Sequence, residues 1–80
     1  MAVELKLEPL SADMEYGTIA RWLKAEGETV RAGEVVLEVE AEKATQEIEA
    51  PVDGTIESVL AAEGDEVAVG STLAVIAESS

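Results

Sequence analysis

The segment GTIARWLKAEGETVRAGEVVLEV, Gly17 to Val39, aligns without a gap on GTIESVLAAEGDEVAVGSTLAVI, Gly54 to Ile76, at an offset of 37 residues. All six glycines of the chain pair under that shift: Gly17 with Gly54, Gly27 with Gly64, Gly33 with Gly70. Glycine is placed where a backbone needs positive φ or a close approach, so matched glycines require matched turns. The chain is therefore two copies of one strand-and-turn plan. A solenoid of only two repeats would leave too much apolar face uncovered. A chain of 80 residues hides only about 60–65% of its unfolded surface in any case. Two copies packed together satisfy both limits. The expected architecture is all-β, a flattened β-barrel or sandwich of two antiparallel sheets of about four strands with an internal pseudo-twofold repeat. It forms one domain over residues 1–80, with repeat halves of about 1–42 and 43–80.

Between the turns, runs rich in Val, Ile, Leu and Thr predict strands at Val3–Leu7, Thr18–Lys24, Val35–Ala41, Thr45–Ala50, Thr55–Leu60 and Thr72–Ala77, with short pieces near Val30 and Val67. Trp22 corresponds to Val59 in the second copy, and each follows an Ile by three positions, so Trp22 belongs to the core or its edge. Tyr16, just before the Gly17 turn, is expected to be more exposed and to line a surface that a partner touches.

The stretch EVEAEKATQEIE, Glu38 to Glu49, holds five glutamates around a single positive charge, Lys43. Val35, Leu37, Val39 and Ala41 alternate with Val36, Glu38, Glu40 and Glu42, which places the second set on the opposite face. After Lys43 the alternation resumes with Ala44, Gln46, Ile48 and Ala50. If the two runs fold back on each other, Ala41 faces Ala44, Val39 faces Gln46 and Leu37 faces Ile48. Both apolar rows then share one side, and a one-residue slip would send one of them into water. Lys43 falls at the hairpin tip, closed by a type I turn because Glu-Lys does not suit a primed one. A helix is the competing structure on propensity, but these apolar residues share no helical face, and Gly33 and Pro51 bracket a hairpin length. Shifting Lys43 by the repeat reaches Lys6 or Ser80, so both termini are expected opposite the tip.

Composition removes whole classes of function. A net charge of −13 repels phosphate backbones and anionic bilayers, so neither nucleic acid nor membrane is an expected partner. The same charge keeps an isolated domain soluble, as a monomer, and can steer it toward a basic partner. With no Cys and no His, the chain holds no disulfide, thiolate nucleophile, imidazole base or conventional zinc site. Redox or acyl chemistry must be borrowed from an attached group. The N-terminal MAVELKLEPL has acid where a secretion signal needs basic residues, and no apolar run approaches membrane-spanning length.

A catalytic lysine needs burial or a neighbouring cation to release its proton. Lys43 has Glu40, Glu42 and Glu47 around it, which favour the ammonium form. It is expected to be an attachment point, not a Schiff-base or general-base residue. Met14 to Ile56, with the repeat that follows, resembles the lipoyl domain of 2-oxo acid dehydrogenase acyltransferases, whose fold is a barrel-sandwich hybrid. The resemblance rests on the Gly17-Thr18-Ile19 turn, Glu26-Gly27, Ala50-Pro51 before Gly54, and the run Glu40-Ala41-Glu42-Lys43-Ala44. It implies that Lys43 carries lipoic acid, with Glu40, Ala41, Glu42 and Ala44 read by the lipoylating enzyme and by partners.

Two positions depart from the family pattern: Glu42 stands for the usual Asp and Ala41 for the usual Thr or Ser. Asp bonds nearby backbone amides more readily than Glu, so these changes bear on recognition by the ligase and on reductive acylation. The resemblance implies a carrier, not an enzyme. Its partners would be a lipoate-protein ligase or lipoyl transferase, a thiamin-dependent decarboxylase, an acyltransferase core and a dihydrolipoamide dehydrogenase. The location would be bacterial cytoplasm or mitochondrial matrix. Lys43-Ala44-Thr45 and Glu49-Ala50-Pro51 look more like pyruvate or branched-chain complexes than 2-oxoglutarate ones. The alternatives are a biotin carrier, whose lysine has methionines on both sides, the longer carrier of glycine cleavage, and an unmodified interaction module.

Overall fold

The computed structural model describes residues 1–9, 12–41 and 44–79. The strands are β1 (Ala2–Lys6), β2 (Tyr16–Trp22), β3 (Thr29–Val30), β4 (Val35–Ala41), β5 (Ala44–Glu49), β6 (Gly54–Val59), β7 (Glu66–Ala68) and β8 (Thr72–Glu78), and no helix occurs among the described residues. The acidic stretch from Glu38 is sheet on both sides of Lys43. Alternation of apolar side chains outweighs the helix propensity of Glu and Ala there.

The strands form two antiparallel sheets in the orders β1-β8-β6-β3 and β5-β4-β2-β7. Under the 37-residue shift, β2 maps on β6, β3 on β7 and β4 on β8, and β1 occupies in its sheet the place that β5 has in the other. The halves are interleaved: β3 pairs with β6 and β7 pairs with β2. The two sheets form a sandwich, not a closed barrel, since β1 and β3 end one sheet and β5 and β7 the other, which is the sandwich side of the sequence expectation. Facing sheets stand about 10 Å apart when filled with Leu, Ile and Val, too far for facing edges to share backbone bonds at about 4.8 Å.

Leu5, Leu7, Ile19, Val30, Val36, Leu37, Val39, Ile56, Leu73 and Ile76 are buried between the sheets. Repeat-related positions play the same role: Ile19 with Ile56, Val36 with Leu73, Val39 with Ile76. Their packing uses bulges that also repeat. Ile19 pairs with Val39 but Arg21 with Glu38, and Ile56 pairs with Ile76 but Ser58 with Val75. On the other side of β4, Leu37 pairs with Ile48 but Val35 with Glu49, as Leu5 pairs with Ala74 but Lys6 with Thr72. The extra residue turns the strand, so the adjacent Val36 and Leu37 are both fully buried. This corrects the strict alternation that had put Val36 on the outer face.

Gly27 and Gly64 both sit at φ 90°, a region costly for any side chain. Each donates its N–H to the other repeat half, extending the β3–β6 and β7–β2 pairings: Gly27 to Ile56 O at 2.8 Å and Gly64 to Ile19 O at 2.7 Å. Gly17 and Gly54 permit close approach. A Cβ on Gly17 would lie 2.7 Å from Val39 Cγ1, and one on Gly54 would strike the Ala77 carbonyl and lie 2.9 Å from Ile76 Cγ2. Two carboxylates complete the cross-ties: Trp22 N–H donates to Glu63 Oε2 at 2.9 Å and Val59 N–H to Glu26 Oε2 at 2.8 Å. Trp22 itself is half-buried at the core edge, its Nε1–H donating to Ala61 O at 2.8 Å.

Candidate functional site

The site is built on β4 and β5. Their pairing runs Leu37 with Ile48, Glu38 with Glu47, Val39 with Gln46, Glu40 with Thr45 and Ala41 with Ala44, the register read from the sequence. Leu37 and Val39 anchor β4 in the core, so the register is fixed by burial and not by the turn. Glu42 and Lys43, including the expected type I turn and exposed tip, lie outside the described residues. Of the other residues singled out, Glu40 and Ala44 are exposed and Ala41 is half-buried.

Partners from β2 and β7 extend the outer face beside the hairpin. Thr18 pairs with Glu40 on one side and with Glu66 on the other, and Arg21 pairs with Glu38. Glu38 therefore has a like charge directly across on β5 and a guanidinium-bearing residue across on β2. Like charges opposite each other weaken a sheet slightly, so nothing in folding favours Glu38 facing Glu47. The ion pairs found among the described residues are Lys24 with Glu34 at 3.3 Å and with Glu28 at 4.0 Å. Neither involves a carboxylate of the hairpin. Glu34 is held below its ordinary value, first by the Arg31 N–H bond and then by Lys24.

Thr18, Arg21 and Glu66 were not anticipated at this face. They come from elsewhere in the chain, and only the offset that aligns β7 with β3 carried any sign of them. Tyr16 is exposed, as expected. Both ends of the described chain lie in the sheet that lacks the hairpin, where Glu78 N–H donates to Met1 O at 2.8 Å.

The Biotin_lipoyl family model, described as "Biotin-requiring enzyme", matches residues 3–76. The chain is 44% identical over 80 residues to the dihydrolipoyllysine-residue acetyltransferase component of the pyruvate dehydrogenase complex of Zymomonas mobilis, covering 99% of this chain. It is 41% identical over 78 residues to the succinyltransferase component of the 2-oxoglutarate dehydrogenase complex of Rickettsia felis, covering 98% of this chain. It spans 18% and 20% of the length of those two relatives. The solution structure of the lipoyl domain of the 2-oxoglutarate dehydrogenase complex from Azotobacter vinelandii superposes with a TM-score of 0.82 at 31% identity, covering 98% of this chain and 99% of that one. A repeated two-sheet sandwich, a fixed β4–β5 register and these likenesses converge: the chain belongs to the biotin/lipoyl family as a lipoyl domain, a carrier that catalyses nothing by itself.

Proposed function

We propose that Lys43 Nζ holds lipoic acid in amide linkage, and that the domain is a swinging-arm carrier of acyl groups and reducing equivalents within a 2-oxo acid dehydrogenase complex. The observation that supports this reading is the β4–β5 register. Pairing continues to Ala41 and Ala44, so only two residues of sequence, Glu42 and Lys43, separate the last pair of a register held by Leu37 and Val39 in the core. A lysine one residue in sequence before β5 is tied to a fixed strand pair, which a ligase can find. When bound, the lipoyl group supplies the disulfide and thiol chemistry that a chain with no Cys lacks. The chain's own residues hold the attachment point, while Glu40, Ala41, Glu42 and Ala44 form the surface that the ligase and partners read. Tethering raises the effective concentration of the arm at each active site it visits.

Lipoate is preferred to biotin because Glu42 and Ala44 stand beside Lys43 where biotin carriers have methionines. The partners are a lipoate-protein ligase or lipoyl transferase, a thiamin-dependent decarboxylase, an acyltransferase core and dihydrolipoamide dehydrogenase, in bacterial cytoplasm or mitochondrial matrix. Pyruvate or branched-chain complexes are favoured by Lys43-Ala44-Thr45 and Glu49-Ala50-Pro51, although the relatives include both pyruvate and 2-oxoglutarate components. Intact mass after co-expression with a lipoate-protein ligase should show one lipoyl group per chain, and none in Lys43→Ala. Modification retained on Lys6 or Lys24 in that variant, or a biotin increment in the wild type, would overturn the reading.

A further inference from the structure

Among the described residues, Tyr16 is one of three large apolar side chains left exposed, at 57%, with Met1 and Leu60. It shares the outer face with Thr18, two residues on in β2. Because β2 runs antiparallel to β4, stepping back from Thr18, which pairs with Glu40, leads toward the end of the sheet where β4 stops at Ala41 and β5 begins at Ala44. Tyr16 therefore sits on the outer face at the hairpin end. Across from it on β7 is Ala68, a small exposed residue, and Glu15, Glu40 and Glu66 are exposed nearby.

The repeat provides an internal control for what this position must do. The residue 37 further on is Asp53, whose Oδ1 accepts the Ala32 N–H at 2.7 Å. The N–H that corresponds to Ala32 is that of Val69, and it is taken by the Glu15 main-chain carbonyl at 2.8 Å. A side chain serves as acceptor at position 53, and the main chain does so in place of position 16. The Tyr16 ring is thus not needed for the bond that Asp53 makes at the related position.

We infer that Tyr16 is the anchor by which the acylating decarboxylase grips this domain at the hairpin end of the sheet, its ring entering an apolar notch whose rim bears Arg or Lys opposite Glu15, Glu40 and Glu66. Tyrosine suits the task, since it brings a large rigid contact area at small conformational cost and is enriched among residues that dominate binding. The inference rests on the carrier reading above and adds the residue that selects the partner. It goes beyond the attachment motif, because Tyr16 lies outside the Glu40–Ala44 run.

The test compares the lipoylated wild-type domain with Tyr16→Thr, which keeps a strand-forming residue, and Tyr16→Phe, which keeps the ring. Reductive acylation by a purified thiamin-dependent pyruvate decarboxylase component is followed alongside the rate of lipoylation by the ligase. For Tyr16→Thr, kcat/KM for acylation should fall about tenfold through KM, while Tyr16→Phe stays within about twofold and lipoylation is unchanged in both. Tyr16 is the sole tyrosine, so its ring resonances should shift when the decarboxylase is added, and Trp22 emission checks that each variant is folded. Equal acylation of wild type and Tyr16→Thr, or a loss confined to lipoylation, overturns the inference alone. A wild-type domain that accepts no lipoyl or acyl group overturns the Lys43 reading and this one with it.

Discussion

On the hairpin sheet, the outward positions Arg21, Glu38, Glu40 and Glu66 are charged; the positions related to them by the repeat on the other sheet are Ser58, Val75, Ala77 and Thr29. Backbone pairing, bulges and glycine turns are the same in both sheets. Where the interior or a tight turn dictates the residue, the copies agree; where only solvent looks on, they have diverged. Charge at these four positions is therefore no requirement of folding, since the same fold carries uncharged residues at the related ones, with Glu4 across from Val75 on that face.

This internal control can be tested for its limits. The largest effect is expected at Gly54, where a new Cβ meets the rigid Ala77 carbonyl, whereas at Gly17 it meets side-chain atoms of Val39, Met14 and Leu7. Gly54→Ala should cost about 3 kcal/mol or more and Gly17→Ala about 1–2 kcal/mol, measured by urea unfolding. Equal costs would mean that the two close approaches are alike after all. Next come the paired carboxylate ties: Glu26→Ala and Glu63→Ala should each cost about 1 kcal/mol. The second should move Trp22 emission more, because Glu63 holds the Trp22 main-chain N–H and Glu26 that of Val59.

The smallest effect distinguishes turns that match in backbone but not in charge. Glu34, held below its ordinary value by the Arg31 N–H and then Lys24, corresponds to Ser71 in the second copy. A lowered folded-state pKa contributes stability above the ordinary carboxylate value and loses it as pH falls through the folded one. The thermal midpoint of the wild type should therefore exceed that of Glu34→Gln at neutral pH, with the gap closing below the ordinary carboxylate value. The group is exposed, so the gap should also shrink with added salt. An unchanged gap across that range would remove Lys24 and the Arg31 N–H as its cause.

Much of this was legible because the determining signals are local or periodic. Matched glycines announced the repeat, and the apolar rows at Leu37, Val39 and Ile48 fixed the hairpin register to the residue. Val36 escaped because a bulge breaks alternation without a residue type of its own, although the doublets Val36-Leu37 and Leu73-Ala74 at matched positions are its trace. The ties from Glu26 and Glu63 span 33 and 41 residues and leave no mark beyond the repeated Ala-Glu-Gly. Sandwich and barrel are not separated by pattern, since inward alternation is the same in both and only the spacing of edge strands differs.

Interleaving also sets how this domain must form. Since β3 completes the sheet of β6 and β7 that of β2, neither half reaches its final pairings before the other has been synthesised and brought into place. Distant segments have to meet before any reward is collected, which places the search for the native state on the slow, millisecond-to-second side of small-domain kinetics. Such a molecule should melt in a single cooperative event, with no half-length intermediate to shelter in.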